Sequence, residues 1–135
     1  MNMENINVIG LGYIGLPTAL MFAKSGMKVV GTDYNKKLVN SLKKGNLTFE
    51  EKGLDKLFSD ALKNGIEFTT EYQKTDIYII AVPTPYIKES KKLDARYVIS
   101  AVNSVLDVCD KGAIIIIEST MTPGSIDRYV RPEIE

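Results

Sequence analysis

The stretch Val8-Ile9-Gly10-Leu11-Gly12-Tyr13-Ile14-Gly15-Leu16-Pro17 constrains this chain more than any other. An apolar run enters three glycines spaced G-x-G-x-x-G and leaves as a helix-forming run, which reads as strand, tight turn and helix. Gly10 permits the turn off the strand. Gly12, without a Cβ, lets a pyrophosphate approach the backbone, and Gly15 lets the helix press against the strand. The helix, expected from about Ile14 to Ser25, points the N–H groups near Tyr13 and Ile14 at that anion, where the positive end of its dipole lies. Pro17 in the first turn costs no hydrogen bond, because the N–H groups there have no helical partner.

Glycine-rich turns are common, so the surrounding sequence decides. Met27-Lys28-Val29-Val30-Gly31-Thr32-Asp33 reads as a second strand ending in an acid. The acid falls at the offset of ~20 residues expected of a ribose-binding carboxylate. Asp33 can accept from both ribose hydroxyls, and its charge repels a 2′-phosphate, which favours NAD over NADP. Lys36 and Lys37 stand close enough in sequence to assist an extra phosphate. Asp33 or Asn35 is also a candidate cap for the next helix.

The rest of the chain continues the alternation. Helices are expected over Asn35–Lys44 and Leu54–Asn64, a short strand over Ile66–Thr69, and an almost wholly apolar strand over Asp76–Val82. A helix capped by Asp94 runs to about Cys109, a strand occupies Ala113–Glu118, and a further helix begins at Ser125–Val130. Continuous apolar strands separated by amphipathic helices imply an α/β fold, a Rossmann-type open parallel sheet with helices on both faces. Residues 1–135 read as a single NAD-binding domain, with the first strand beside the fourth and a ligand crevice at their carboxyl ends.

Three groups fall at strand ends: Gly10–Gly15, Val82–Pro85 and Glu118–Thr120. Val82, Pro83 and Pro85 stiffen a loop in which Thr84 offers a hydroxyl to ribose or phosphate, although the same residues make an ordinary turn. Thr120 offers a second hydroxyl, which can equally bond its own backbone. Glu118 reads either as a solvated strand end or as a polar group facing the nicotinamide side. The basic stretch Lys88–Lys92 reads as a solvated loop.

Composition removes several classes of function. Lys plus Arg and Asp plus Glu are equal at 17 each, so no charge excess points to nucleic acid or an anionic membrane. No apolar run reaches membrane-spanning length and the N-terminus lacks a signal-peptide pattern, so a cytoplasmic location is expected. The chain has no histidine and one cysteine, which argues against a metal site and against a Ser-His-Asp triad. Cys109, among Val105, Leu106 and Val108, reads as a packing residue rather than a nucleophile.

With these segments assembled, the sequence resembles the UDP-glucose/GDP-mannose dehydrogenase family of NAD-dependent nucleotide-sugar 6-dehydrogenases. The resemblance is carried by Val8–Pro17, Gly31-Thr32-Asp33, Val82-Pro83-Thr84-Pro85, Leu93-Asp94-Ala95-Arg96-Tyr97-Val98 and Glu118-Ser119-Thr120-Met121-Thr122-Pro123-Gly124. It implies oxidation of a sugar C6 alcohol to a carboxylate with two NAD⁺, through a thioester on a cysteine that this chain does not contain. It also implies cofactor contacts from Tyr13, Ile14, Asp33, Thr84 and Thr120, with Thr120 additionally placing the hydrolytic water. Glu118 before Ser119-Thr120 resembles the branch acting on UDP-N-acetylated hexosamines, with UDP-N-acetyl-D-mannosamine as first choice; UDP-glucose enzymes more often carry lysine there. The resemblance further implies a UDP-sugar partner held by a domain outside this chain and a homo-oligomeric parent protein. Leu38 departs from the basic residue frequent at its position, as does Lys52 from the usual proline. A stand-alone NAD-binding regulatory module is the alternative from another functional class.

Overall fold

The structure, a computed structural model, describes residues 5–83, 86–87, 92–93, 96–118 and 134. Its elements in chain order are β1 (Asn5–Ile9), α1 (Gly15–Lys24), β2 (Lys28–Thr32), α2 (Lys36–Lys43), α3 (Leu54–Lys63), β3 (Glu67–Thr69), β4 (Ile77–Ile80), β5 (Tyr86–Ile87), β6 (Lys92–Leu93), α4 (Arg96–Val108) and β7 (Ile114–Ile117). Five strands form one sheet in the order β3-β2-β1-β4-β7, and all of its pairings are parallel. The sheet is the Rossmann-type one expected from the alternation, with β1 beside β4 and the strand order reversing at that boundary.

Side-chain alternation along the strands divides the interior in two. Ile6, Val8, Val29 and Ile79 face α1, α2 and α3, where Leu16, Leu20, Val39, Leu42 and Phe58 complete a buried cluster. Ile9, Tyr78 and Ile80 face the opposite way, against Val98, Val102 and Val105 of α4. Cys109 is a half-buried free thiol packed at the margin of this second cluster, as its apolar neighbours imply. Ala19 and Ala23 are buried on the inner side of α1, and their small side chains allow the helix to sit close to the sheet.

One part of the second face is polar. Asn7 in β1 and Thr32 in β2 are fully buried, and the connection between β3 and β4 lies across them. The Asn7 amide donates to Thr32 Oγ1 at 2.8 Å and to the Val30 carbonyl at 3.0 Å, and its Oδ1 accepts from the Gln73 N–H at 3.0 Å. Thr32 Oγ1 in turn donates to the Glu71 carbonyl at 3.0 Å. Tyr78 continues the lacing: its hydroxyl donates to the Gln73 carbonyl at 2.7 Å and accepts from the Thr75 N–H at 3.0 Å. Buried polar atoms are stable only when partnered, and among the described residues no buried side-chain nitrogen or oxygen lacks a partner.

The antiparallel pair β5–β6 was not expected, since Lys88–Lys92 read as a loop. Two residues per strand are too few to carry the alternation by which a strand is recognised in a sequence. The expected Asp94 cap and the expected helix at Ser125–Val130 lie outside the described residues.

Replacing Asn7 by alanine removes three hydrogen bonds and leaves the Gln73 N–H facing a void. Asn7→Ala should lower the free energy of unfolding by about 2–4 kcal/mol. Urea denaturation followed by circular dichroism measures this, and a loss below about 0.5 kcal/mol would mean that the network is not structural.

Candidate functional site

The carboxyl ends of the strands are brought level by hydrogen bonds that continue the sheet past its formal limits. Gly10 donates its N–H to the Thr32 carbonyl at 2.8 Å, Ala81 to Ile9 at 2.7 Å, Asp33 to Thr69 at 3.1 Å and Glu118 to Ile80 at 2.8 Å. Gly10, Asp33, Ala81 and Glu118 therefore stand in a row along one edge.

The three glycines differ in what surrounds them. Gly10 has φ +95°, a left-handed conformation that L side chains disfavour, and a Cβ on it would stand 2.6 Å from the Ala81 carbonyl oxygen. A Cβ on Gly15 would overlap the Gly10 carbonyl oxygen and press on the Ala81 side chain. Gly12 has open space where its Cβ would be, and it is exposed with Tyr13 and Ile14. The outer two glycines are thus demanded by packing within the chain, whereas nothing in the fold itself requires the middle one.

Leu11, between the glycines, turns inward and is fully buried. Gly31 of β2 makes room for it, since a Cβ there would stand 2.9 Å from Leu11 Cδ2 and 3.0 Å from Phe68 Cδ1. The first turn of α1 carries no acidic residue to offset its dipole. Among the described residues, no protein acceptor takes the N–H groups of Tyr13 and Ile14. These open donors, beside an exposed glycine, suit an anion.

Asp33 closes the other side. Its Oδ2 accepts from the Leu11 N–H at 2.9 Å and its Oδ1 from the Asn35 N–H at 2.9 Å. Asn35, not Asp33, caps α2, accepting from the N–H groups of Lys37 at 3.1 Å and Leu38 at 3.2 Å. Each carboxylate oxygen of Asp33 thus uses one acceptor direction on the backbone and keeps another for a ligand hydroxyl.

Glycine loop, acid and strand end line one cleft of about 410 Å³, which Gly10, Gly12, Tyr13, Ile14, Asp33, Tyr34, Leu38, Val82 and Pro83 all border. A larger opening of about 670 Å³ lies beside α3, bordered by Leu47, Phe49, Glu50 and Phe58, and none of its lining residues belongs to a strand end. The Tyr72 hydroxyl is held above its ordinary pKa, mainly by burial; the negative charge of Asp33 acts in the same direction, and a hydrogen bond with Ser104 opposes both.

Of the residues singled out from sequence, Gly10, Gly12, Tyr13, Ile14, Asp33, Val82 and Pro83 meet at this cleft, with Gly15 buried behind it. Glu118 is half-buried and reaches α1, where Thr18 Oγ1 donates to its Oε1 at 2.6 Å. Thr84 and Thr120 lie outside the described residues. Sequence reasoning missed Thr18, because nothing local marks a partner 100 residues away. It also missed the pairing of Tyr13 with Phe49, whose ring centroids are 4.6 Å apart. Gly31 did carry a signal: an isolated glycine inside a strand marks close approach by another group.

Two substitutions separate packing from ligand space. Gly15→Ala forces backbone atoms apart and should destabilise the chain by about 3 kcal/mol or more, while Gly12→Ala should leave stability within about 1 kcal/mol of the original. Thermal or urea unfolding of the two variants decides. Equal stability losses would contradict the division drawn here.

Comparison with known proteins agrees with this geometry. Residues 4–135 match the family model of the UDP-glucose/GDP-mannose dehydrogenase family, NAD binding domain. The chain is 47% identical over 125 residues to a UDP-N-acetyl-D-mannosamine dehydrogenase of Methanococcus vannielii, covering 90% of this chain and 29% of that protein. It is 41% identical over 132 residues to the enzyme of the same name from Yersinia pestis, covering 97% of this chain and 31% of the relative. The native structure of the UDP-N-acetyl-mannosamine dehydrogenase of Staphylococcus aureus superposes with a TM-score of 0.91 at 40% identity, covering 96% of this chain and 32% of that one. The chain thus spans about three tenths of the length of these relatives. Among the described residues no helix is long and apolar enough to cross a membrane, and no cluster of His, Cys, Asp and Glu could hold a metal ion. The glycine turn, the acid after β2 and the parallel sheet that aligns them are those of an NAD-binding domain, and the chain belongs to the UDP-glucose/GDP-mannose dehydrogenase family.

Proposed function

We propose that the cleft holds NAD with its pyrophosphate over Gly12 and the N–H groups of Tyr13 and Ile14, and its adenosine ribose on Asp33. The observation that carries this reading is the Asp33 carboxylate, tied to the Leu11 N–H and turned toward the same opening as the exposed Gly12. An anion site and a diol acceptor therefore sit at one fixed separation. Gly10 and Gly15 hold the turn, Val82 and Pro83 form the opposite wall, and Thr84 and Thr120 are proposed as further contacts. NAD⁺ bound there supplies the hydride acceptor. The chain's own residues bind it and orient it.

Asp33 also sets the choice of cofactor. A 2′-phosphate would meet a carboxylate whose two oxygens are fixed by backbone donors, so it cannot swing away at low cost. Lys36 and Lys37 are exposed on the first turn of α2, and they soften this discrimination without reversing it.

The relatives' names support a wider reading. Within a complete protein, residues 1–135 serve as the NAD-binding domain of a nucleotide-sugar 6-dehydrogenase, with UDP-N-acetyl-D-mannosamine as the substrate and the nucleophilic cysteine supplied by a separate domain. Glu118, which favours the acetylated-hexosamine branch over UDP-glucose, supports this choice of sugar. On this reading the parent protein works in the cytoplasm as a homo-oligomer, and the 135-residue chain binds NAD⁺ but oxidises nothing alone.

Isothermal calorimetry on the chain should show NAD⁺ binding, with NADP⁺ weaker by about tenfold or more. Gly12→Val should reduce NAD⁺ affinity by at least about tenfold while the fold persists. No heat with either cofactor would sink the site assignment. Formation of NADH from a UDP-sugar by the chain alone would refute the division of labour between domains.

A further inference from the structure

The placement of two parts of a nucleotide determines where the third must go. With the phosphates at Tyr13 and Ile14 and the ribose hydroxyls at Asp33, the glycosidic bond leaves the sugar within one bond of its 2′ carbon. The base must then lie beside Asp33, on the flank away from the glycine turn. Tyr34 and Leu38 border that flank, with Val82 and Pro83 completing the apolar lining.

Tyr34 is 78% exposed. A single exposed tyrosine is ordinary, but this one is held on a fixed backbone. Asp33 before it donates its N–H to Thr69 and accepts from Leu11, and Asn35 after it is bound to Asp33 Oδ1 and caps α2. The residue on each side of Tyr34 is pinned, so its ring has two side-chain torsions left to order when a ligand arrives. Such a ring offers broad contact at small entropic cost. Leu38, half-buried in the first turn of α2, adds aliphatic surface beside it. This is the position at which the sequence departs from the basic residue frequent in the family.

We propose that Tyr34 stacks on the adenine ring, giving the cleft an aromatic platform for a purine base. The proposal rests on the NAD placement above. It identifies the base by its flat π surface rather than by its hydrogen-bonding edge, as aromatic platforms for nucleic-acid bases do.

Calorimetric titration of the 135-residue chain with NAD⁺ and with AMP tests it, using the original protein, Tyr34→Ala and Tyr34→Phe. Tyr34→Ala should weaken both ligands by about tenfold, and Tyr34→Phe should stay within about twofold of the original. Unfolding curves of all three should coincide, because the ring supports nothing in the fold. The chain has no tryptophan, so tyrosine emission can be read directly. AMP should quench that emission, and most of the quenching should vanish in Tyr34→Phe although AMP still binds. If the original binds AMP and Tyr34→Ala binds it equally well, the stacking role is wrong and the site assignment stands. If the original binds neither ligand, the site assignment fails and the stacking role fails with it.

Discussion

The close approach of α1 to the end of β1 is the constraint on which the rest depends. The Gly10 carbonyl occupies space that a side chain at residue 15 would need, and Gly10 is itself pressed against the Ala81 backbone. This double contact fixes the angle between strand and helix. It brings the open N–H groups at the start of α1 over the boundary between β1 and β4, where the strand order reverses. A looser turn would still bury Leu16 and Leu20 against the sheet, but it would aim the helix dipole elsewhere. Packing of a few backbone atoms thereby becomes an electrostatic property of the cleft.

Asp33 transmits the same constraint to β2. Its bond to the Leu11 N–H holds the glycine turn from the side opposite α1, and Leu11 is in turn seated over Gly31. Turn, acid and β2 are thus interlocked. Beneath them, Asn7 and Thr32 hold the β3–β4 connection across the second face. A pair of buried polar residues is a costly way to fill a core, and it is stable here because every donor and acceptor has a partner. What it provides is register: an amide of fixed length links β1 to β2 and to the Gln73 backbone, so the strand ends that make the site stay level.

Much of this was legible in the sequence, for identifiable reasons. The alternation of apolar strands with amphipathic helices gave the parallel sheet, and the observed boundaries of α1, α2 and α3 fall within one residue or so of those read from periodicity and glycine stops. The glycine turn and Asp33 were readable because both lie in a short β-α-β segment whose spacing is set by geometry. Asn7 was not: one asparagine among Ile6, Val8 and Ile9 says nothing of the Gln73 backbone it meets. Glu118 was visible at its strand end and Thr18 was not, because their pairing is a product of the fold. The β5–β6 pair carried no pattern at all.

The row of strand ends is built differently at its two ends. At the β2 end the decisive contact joins Leu11 and Asp33, 22 residues apart, and it closes as soon as β1, α1 and β2 have packed. On the other side the contact joins Thr18 and Glu118, 100 residues apart, and it needs β4, α4 and β7 in place. Short-range contacts carry a smaller loop-closure cost than long-range ones. The Asp33 contact therefore belongs to a local unit, while the Glu118 contact depends on the whole sheet. Glu118 illustrates the consequence. Its carboxylate is held by a hydroxyl of α1 whose single proton it shares with the Ile14 carbonyl, so a change at residue 118 is felt at the first turn of that helix. Through that hydroxyl, the glycine turn and the last strand of the sheet act on the same few backbone groups.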